Sequence, residues 1–69
     1  MNFVNVCPDI PDDWRGGRAE TARILGVSLR TLDRKSDLGK RHGGIDWLPG
    51  KRGKIFLGKE IKRFWHEYR

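Results

Sequence analysis

The stretch Leu25-Gly26-Val27-Ser28-Leu29-Arg30-Thr31-Leu32 decides how this chain folds. Gly26 directly follows a helical pattern and suits the left-handed residue that ends a helix. Two positions later, Ser28 offers a hydroxyl cap to a second helix beginning at Leu29. Upstream, residues 18–25 carry the first helix, with Gly17 as a weak N-cap. At about 100° per residue, Ala19, Ala22 and Leu25 share one face, while Glu20 and Arg23 point away. Downstream, Leu29 and Leu32 are expected on the inner side of the second helix, with Arg30, Thr31 and Arg34 opposite. Small alanines let the helices approach and Gly26 permits the sharp turn, so the pair reads as a helix-turn-helix.

Beyond a polar connector at residues 37–44, Ile45-Asp46-Trp47-Leu48 and Lys54-Ile55-Phe56-Leu57 both alternate like short strands. Between them Pro49-Gly50-Lys51-Arg52-Gly53 has the composition of a hairpin loop with a basic tip. Gly58 ends the hairpin and is placed to cap a last helix running to Tyr68. There Ile61, Phe64, Trp65 and Tyr68 fall in one arc, with Lys59, Arg63 and His66 opposite. On the N-terminal side, residues 2–14 read as an irregular arm. Phe3, Val4 and Val6 suggest a short extended piece, which Pro8 and Pro11 interrupt; Arg15-Gly16-Gly17 then resets the chain. The expected fold class is α+β. It is a small winged helix-turn-helix of two short helices, a two-stranded β-hairpin wing and a C-terminal helix, spanning residues 15–69 after an arm at 1–14.

The 69 residues hold one domain, and at 36% hydrophobic its core must be small. No apolar run reaches the ~20 residues of a membrane span, and the first residues lack the order of a signal peptide, which predicts a cytoplasmic protein. The single cysteine, Cys7, excludes an internal disulfide and argues against a thiolate zinc site. It reads as a small apolar residue. Fifteen Lys and Arg against nine Asp and Glu give a net charge of +6 and a pI near 10.1. Asp9, Asp12 and Asp13 sit near the start, whereas residues 30–69 are rich in base. Such a surface attracts polyanions, nucleic acid first and anionic membrane second.

On the second helix, Arg30 and Arg34 are placed to reach guanine edges or phosphates. Thr31 is placed to meet a thymine methyl or a phosphate in a groove about 12 Å wide. At the wing, Lys51, Arg52 and Lys54, with Lys40 and Arg41 just before the hairpin, suit the phosphate backbone, and Arg52 a narrow minor groove. The aromatics Trp47, Phe56, Phe64, Trp65 and Tyr68 fit core faces, Phe56 being the best candidate for exposure. His42 and His66 lack a metal-like partner pattern. Adjacent Asp12 and Asp13 point in different directions in any regular element, a poor arrangement for paired carboxylate catalysis. With no phosphate-cradling Gly-rich loop and no nucleophile–base pairing, the residues predict no enzyme, cofactor, metal or small-molecule ligand.

The succession of helix one, Leu25-Gly26-Val27-Ser28, Arg30-Thr31-Leu32, wing and Gly58-Lys59-Glu60-Ile61-Lys62-Arg63-Phe64-Trp65 resembles the excisionase-like, MerR-type winged helix-turn-helix family. The resemblance covers about residues 14–68. It implies that the second helix enters the major groove and that the wing meets the adjacent minor groove or backbone. Base-reading roles then fall on Ser28, Arg30, Thr31 and Arg34, and backbone roles on Lys35, Lys51, Arg52 and Lys54. Two features depart from the family pattern: Lys35 stands where an aromatic often follows the arginine, and the arm is longer and richer in proline. Short members are commonly excisionases of phages and mobile elements, which bend attachment-site DNA beside an integrase and further copies of themselves. Others are small transcription regulators, and a related domain opens the small subunit of some phage terminases. With no room for an effector domain, a 69-residue module favours the architectural role. Readings of other classes are an RNA or single-strand binder that stacks bases on exposed aromatics, and a protein-interaction module.

Overall fold

The computed structural model describes residues 4–68, apart from the side chains of Lys40 and Tyr68. Phe3 and the Tyr68 ring, expected in the arm and the last helix's arc, lie outside what is described. The elements run β1 (Arg15–Gly16), α1 (Arg18–Leu25), α2 (Leu29–Leu38), a single 3-10 turn (Lys40–His42), β2 (Leu48–Gly50), β3 (Gly53–Leu57) and α3 (Gly58–Tyr68). The fold is a small α+β winged helix.

The turn between α1 and α2 follows from its residues. Gly26 is left-handed, with φ 78° and ψ 29°. Its N–H reaches the Ala22 carbonyl at 2.9 Å while the Val27 N–H reaches the same oxygen at 3.0 Å, so carbonyls at the end of α1 are satisfied. Ser28 then caps α2 by accepting from the Thr31 N–H at 3.1 Å. The helix faces differ in detail from the periodicity. Thr21, Ala22 and Leu25 are buried, and Ala19 is exposed. The buried stripe centres on Leu25, from which Ala19 is rotated by about 120°. Only Ala22 therefore makes the close helix approach. On α2, Leu32 and Ser36 are buried, whereas Leu29 is 45% exposed, because the first turn projects beyond the core.

The sheet has order β1-β3-β2, antiparallel throughout. The wing starts later than its alternation suggests. Ile45 is buried, but its N–H bonds to the Lys35 carbonyl, and the Asp46 N–H bonds to Glu60 Oε2 at 2.9 Å. With those donors satisfied by α2 and α3, ladder pairing begins only at Leu48, opposite Ile55. Pro49 is tolerated because β2 is an edge strand. Only Lys51 and Arg52 bridge Gly50 and Gly53, so the tip is a tighter turn than the expected five-residue loop. β1 adds a strand on the other side, with Arg15 opposite Leu57 and Gly16 opposite Phe56. The residues read as a simple reset of the chain thus lock its entry to the sheet.

The core joins Ala22, Leu25, Leu32, Ile45, Phe56, Ile61, Phe64 and Trp65. Phe56, expected as the exposed aromatic, is completely buried, and Trp47 is 37% exposed instead. Strand β3 is covered by helices on one face, so its inward residue must be the large one. The arm is irregular but integrated: Val4, Cys7, Ile10 and Trp14 pack against the core. The Trp65 indole N–H donates to the Val4 carbonyl at 2.8 Å, and the Val4 N–H donates to the Leu25 carbonyl at 2.9 Å. At the start of α3, the Gly58 and Lys59 N–H groups donate to the Trp14 and Asp12 carbonyls. Gly58 is needed there, since a Cβ would overlap the Pro11 carbonyl oxygen. Among the described residues, no helix is long and apolar enough to cross a membrane.

Candidate nucleic-acid interface

Capping by Ser28 sets the phase of α2 and turns Arg30 and Arg34 outward, both exposed, with Thr31 and Lys35 half-buried beside them. Thr31, Arg34, Lys35 and Leu38 line a shallow groove of about 360 Å³ on this face. Ser28 and Thr31 are partly committed to each other. The Ser28 hydroxyl donates to Thr31 Oγ1 at 3.0 Å, which uses its only proton in the cap. Ser28 therefore shapes the start of the helix, while the Thr31 methyl and its own hydroxyl proton stay available.

At the wing tip Lys51 and Arg52 are exposed. Lys54, grouped with them in sequence, turns inward instead. Its ammonium donates to Ser36 Oγ at 2.6 Å and to Asp37 Oδ1 at 2.9 Å, and lies 5.1 Å from the centre of the Trp47 ring. It pins the wing against the end of α2. A second tie crosses the helix pair, where Arg18 Nη1 donates to Asp33 Oδ2 at 2.8 Å. Arg41 is exposed on the 3-10 turn. The Lys40 side chain lies outside the described set.

The ion pairs sort the charges by face. On α3, Arg63 pairs with Glu60 and Glu67, and Lys62 pairs with Asp12 at 2.5 Å. Lys62 lowers the Asp12 carboxyl below its ordinary value of 3.8, first through the hydrogen bond and then through its charge. Among the described residues, no ion pair joins Arg30, Arg34, Lys35, Arg41, Lys51 or Arg52 to a carboxylate. These cations stand on α2, the 3-10 turn and the wing tip, and among the described residues the same holds for exposed Arg15, Arg23 and Lys59 elsewhere. Exposed cations on α2, the 3-10 turn and the wing tip can attract a polyanion from solvent.

Sequence reasoning passed over Arg15 and Arg18. Both line a cleft of about 550 Å³ together with Gly16, Gly17, Glu20 and wing residues 51–55. Only the pairing of β1 with β3 brings them there, and a two-residue strand leaves no periodic signal. Away from these surfaces, half-buried Cys7 has its Sγ 3.5 Å from Nε2 of exposed His66. Among the described residues, no three His, Cys, Asp or Glu side chains cluster as a metal site would require.

No family model matches the chain, and neither the curated proteins nor the solved structures yield a match.

Proposed function

We propose that this chain is a sequence-specific duplex DNA-binding protein acting architecturally, as an excisionase does. The observation that carries the reading is the exposed pair Arg30 and Arg34, without an ion pair to a carboxylate among the described residues, on the outer face of the second helix in a helix-turn-helix. Two arginines one helical turn apart are suited to enter a major groove together. Their planar, bidentate donors match guanine O6 and N7. Lys51 and Arg52 lie on a wing that Lys54 holds beside α2, and they take the neighbouring phosphates.

Lys54 stabilises the wing in this reading rather than meeting DNA. Single-strand stacking is less favoured, because Phe56 is buried and the exposed indole of Trp47 carries the Lys54 ammonium over its ring. A lone module makes few base contacts. Useful affinity therefore calls for neighbouring copies on the DNA or for an integrase beside it.

The test is a titration of randomised and selected duplexes at several salt concentrations, with bending read by end-labelled energy transfer. Selection of a defined site, bound with a steep salt dependence and bent on binding, is expected. Binding that shows neither sequence preference nor salt dependence overturns the proposal, and binding without a bend overturns its architectural part.

A further inference from the structure

Gly17 is a residue the fold does not require. It is the N-cap of α1 with φ −87° and ψ −172°, an extended conformation open to any residue, and it makes no side-chain cap. A Cβ there would meet nothing nearer than Glu20 Oε1 at 3.9 Å. Ser or Asp would cap the helix better. Across the same cleft Gly53 is also uncrowded, but its φ of 124° already calls for glycine in the turn, so Gly17 alone is unexplained by the backbone. Gly17 therefore leaves bare backbone at the opening, and glycine is the residue that lets another molecule's backbone come close.

The side chains around this bare floor are cationic. Arg15 comes from β1, Arg18 from the first turn of α1, Lys51 and Arg52 from the wing tip, and Glu20 is the one acid among the lining residues. Arg15, Lys51 and Arg52 form no ion pair with a carboxylate among the described residues. Arg18 spends one amino group on Asp33, and a guanidinium carries five N–H donors, so it keeps others for a ligand. Bases from three elements around a trough of about 550 Å³ suit an extended polyanion better than a single small ion.

We propose that this cleft seats a DNA phosphodiester strand, with Arg15 and Arg18 gripping it from one wall and Lys51 and Arg52 from the other. The inference rests on the duplex-binding reading and deepens it. The protein would hold backbone at β1 and the start of α1 as well as at the wing, while α2 reads bases.

The experiment compares Arg15→Gln, Gly17→Ser and Glu20→Gln with wild type on the selected duplex and a scrambled one, across salt, with thermal unfolding recorded for each. Arg15→Gln is expected to weaken both duplexes several-fold by the same factor and to flatten the log–log salt slope by about 0.9 for each phosphate no longer neutralised. Gly17→Ser is expected to unfold no earlier than wild type yet to bind both duplexes several-fold more weakly. Glu20→Gln is expected to tighten both. If all three bind as wild type while Arg30→Ala still loses the selected site, the cleft assignment falls and the duplex reading stands. If wild type binds no duplex, amide spectra with inorganic pyrophosphate decide what remains. Shifts at residues 16–18 then replace the strand by a small anion, and no shifts overturn the cleft as an anion site altogether.

Discussion

The ammonium of Lys54 lies 2.6 Å from the hydroxyl oxygen of Ser36, a side chain that is almost completely buried. The Ser36 hydroxyl donates onward to the Asp33 carbonyl at 2.9 Å, and its own carbonyl accepts from the Trp47 indole N–H at 3.2 Å. A short polar chain thus runs from the wing through Ser36 to α2. It fixes the distance between the two surfaces proposed to meet DNA.

Replacing Lys54 with Met keeps the aliphatic stem but removes the charge-assisted bond to Ser36. The Lys54 side chain is 20% exposed, so solvent only partly compensates. The expected loss is about 1.5–3 kcal/mol, the range for hydrogen bonds to charged groups, read as a lower urea midpoint. The salt slope on duplex DNA should stay at the wild-type value. A slope that drops by about one would instead show Lys54 on a phosphate.

The roles proposed for α2 and the wing tip predict different losses of specificity. Arg30→Ala or Arg34→Ala should cost about 1–3 kcal/mol on the selected duplex and little on a scrambled one, whereas Lys51→Ala should weaken both alike. Competition binding with the two duplexes measures this directly. Equal losses on both for the α2 arginines would reassign them to phosphate.

Much of the scaffold was legible in the residues, and the reasons are local. Gly26 and Ser28 act within a turn of their own positions, so both ends of the helix-turn-helix junction could be read from the chain. The α3 stripe of Ile61, Phe64 and Trp65 was equally legible, because each side chain meets the same core. What was not legible depends on partners distant in sequence. Ile45 has the pattern of a strand residue, yet its N–H is taken by Lys35; Lys54 has the place of a wing-tip cation, yet Asp37 and Ser36 claim it. Alternation could show that Phe56 differs from Ile55 and Leu57 in facing, but not which side carries the helices. Arg15 entered no candidate site because its placement depends on pairing with Leu57, far along the chain.

Thr21 marks a place where the fold carries an avoidable cost. Its residue is fully buried and its hydroxyl oxygen has no hydrogen-bond partner among the described residues. An unsatisfied buried hydroxyl costs about 1–3 kcal/mol, and a methyl in its place fills similar space. Thr21→Val is therefore expected to raise stability by about 1 kcal/mol in urea unfolding and to leave DNA binding unchanged. A destabilised variant would mean that the hydroxyl has a partner, such as a trapped water, that supports α1.

Acid should weaken the tie between the arm and α3, and Asp12 is the reason. Its carboxylate pairs with Lys62, and the hydrogen bond and charge of that partner lower its folded pKa below the ordinary 3.8. A group whose folded pKa is depressed binds fewer protons folded than unfolded. Its contribution is then fully present above the unfolded value and disappears as pH falls through the lower, folded one. The Asp12 carbonyl also accepts from the Lys59 N–H, so the residue ties the arm to α3 through both side chain and backbone. Asp12→Asn keeps the backbone bond and removes only the ionic one. The variant should be less stable than wild type at about pH 7, with the gap closing as pH falls below the ordinary 3.8 and narrowing in high salt, because the pair is exposed and screened. Urea midpoints across that range make the comparison. Curves separated by a constant amount at every pH would show that the pair contributes nothing through its charge.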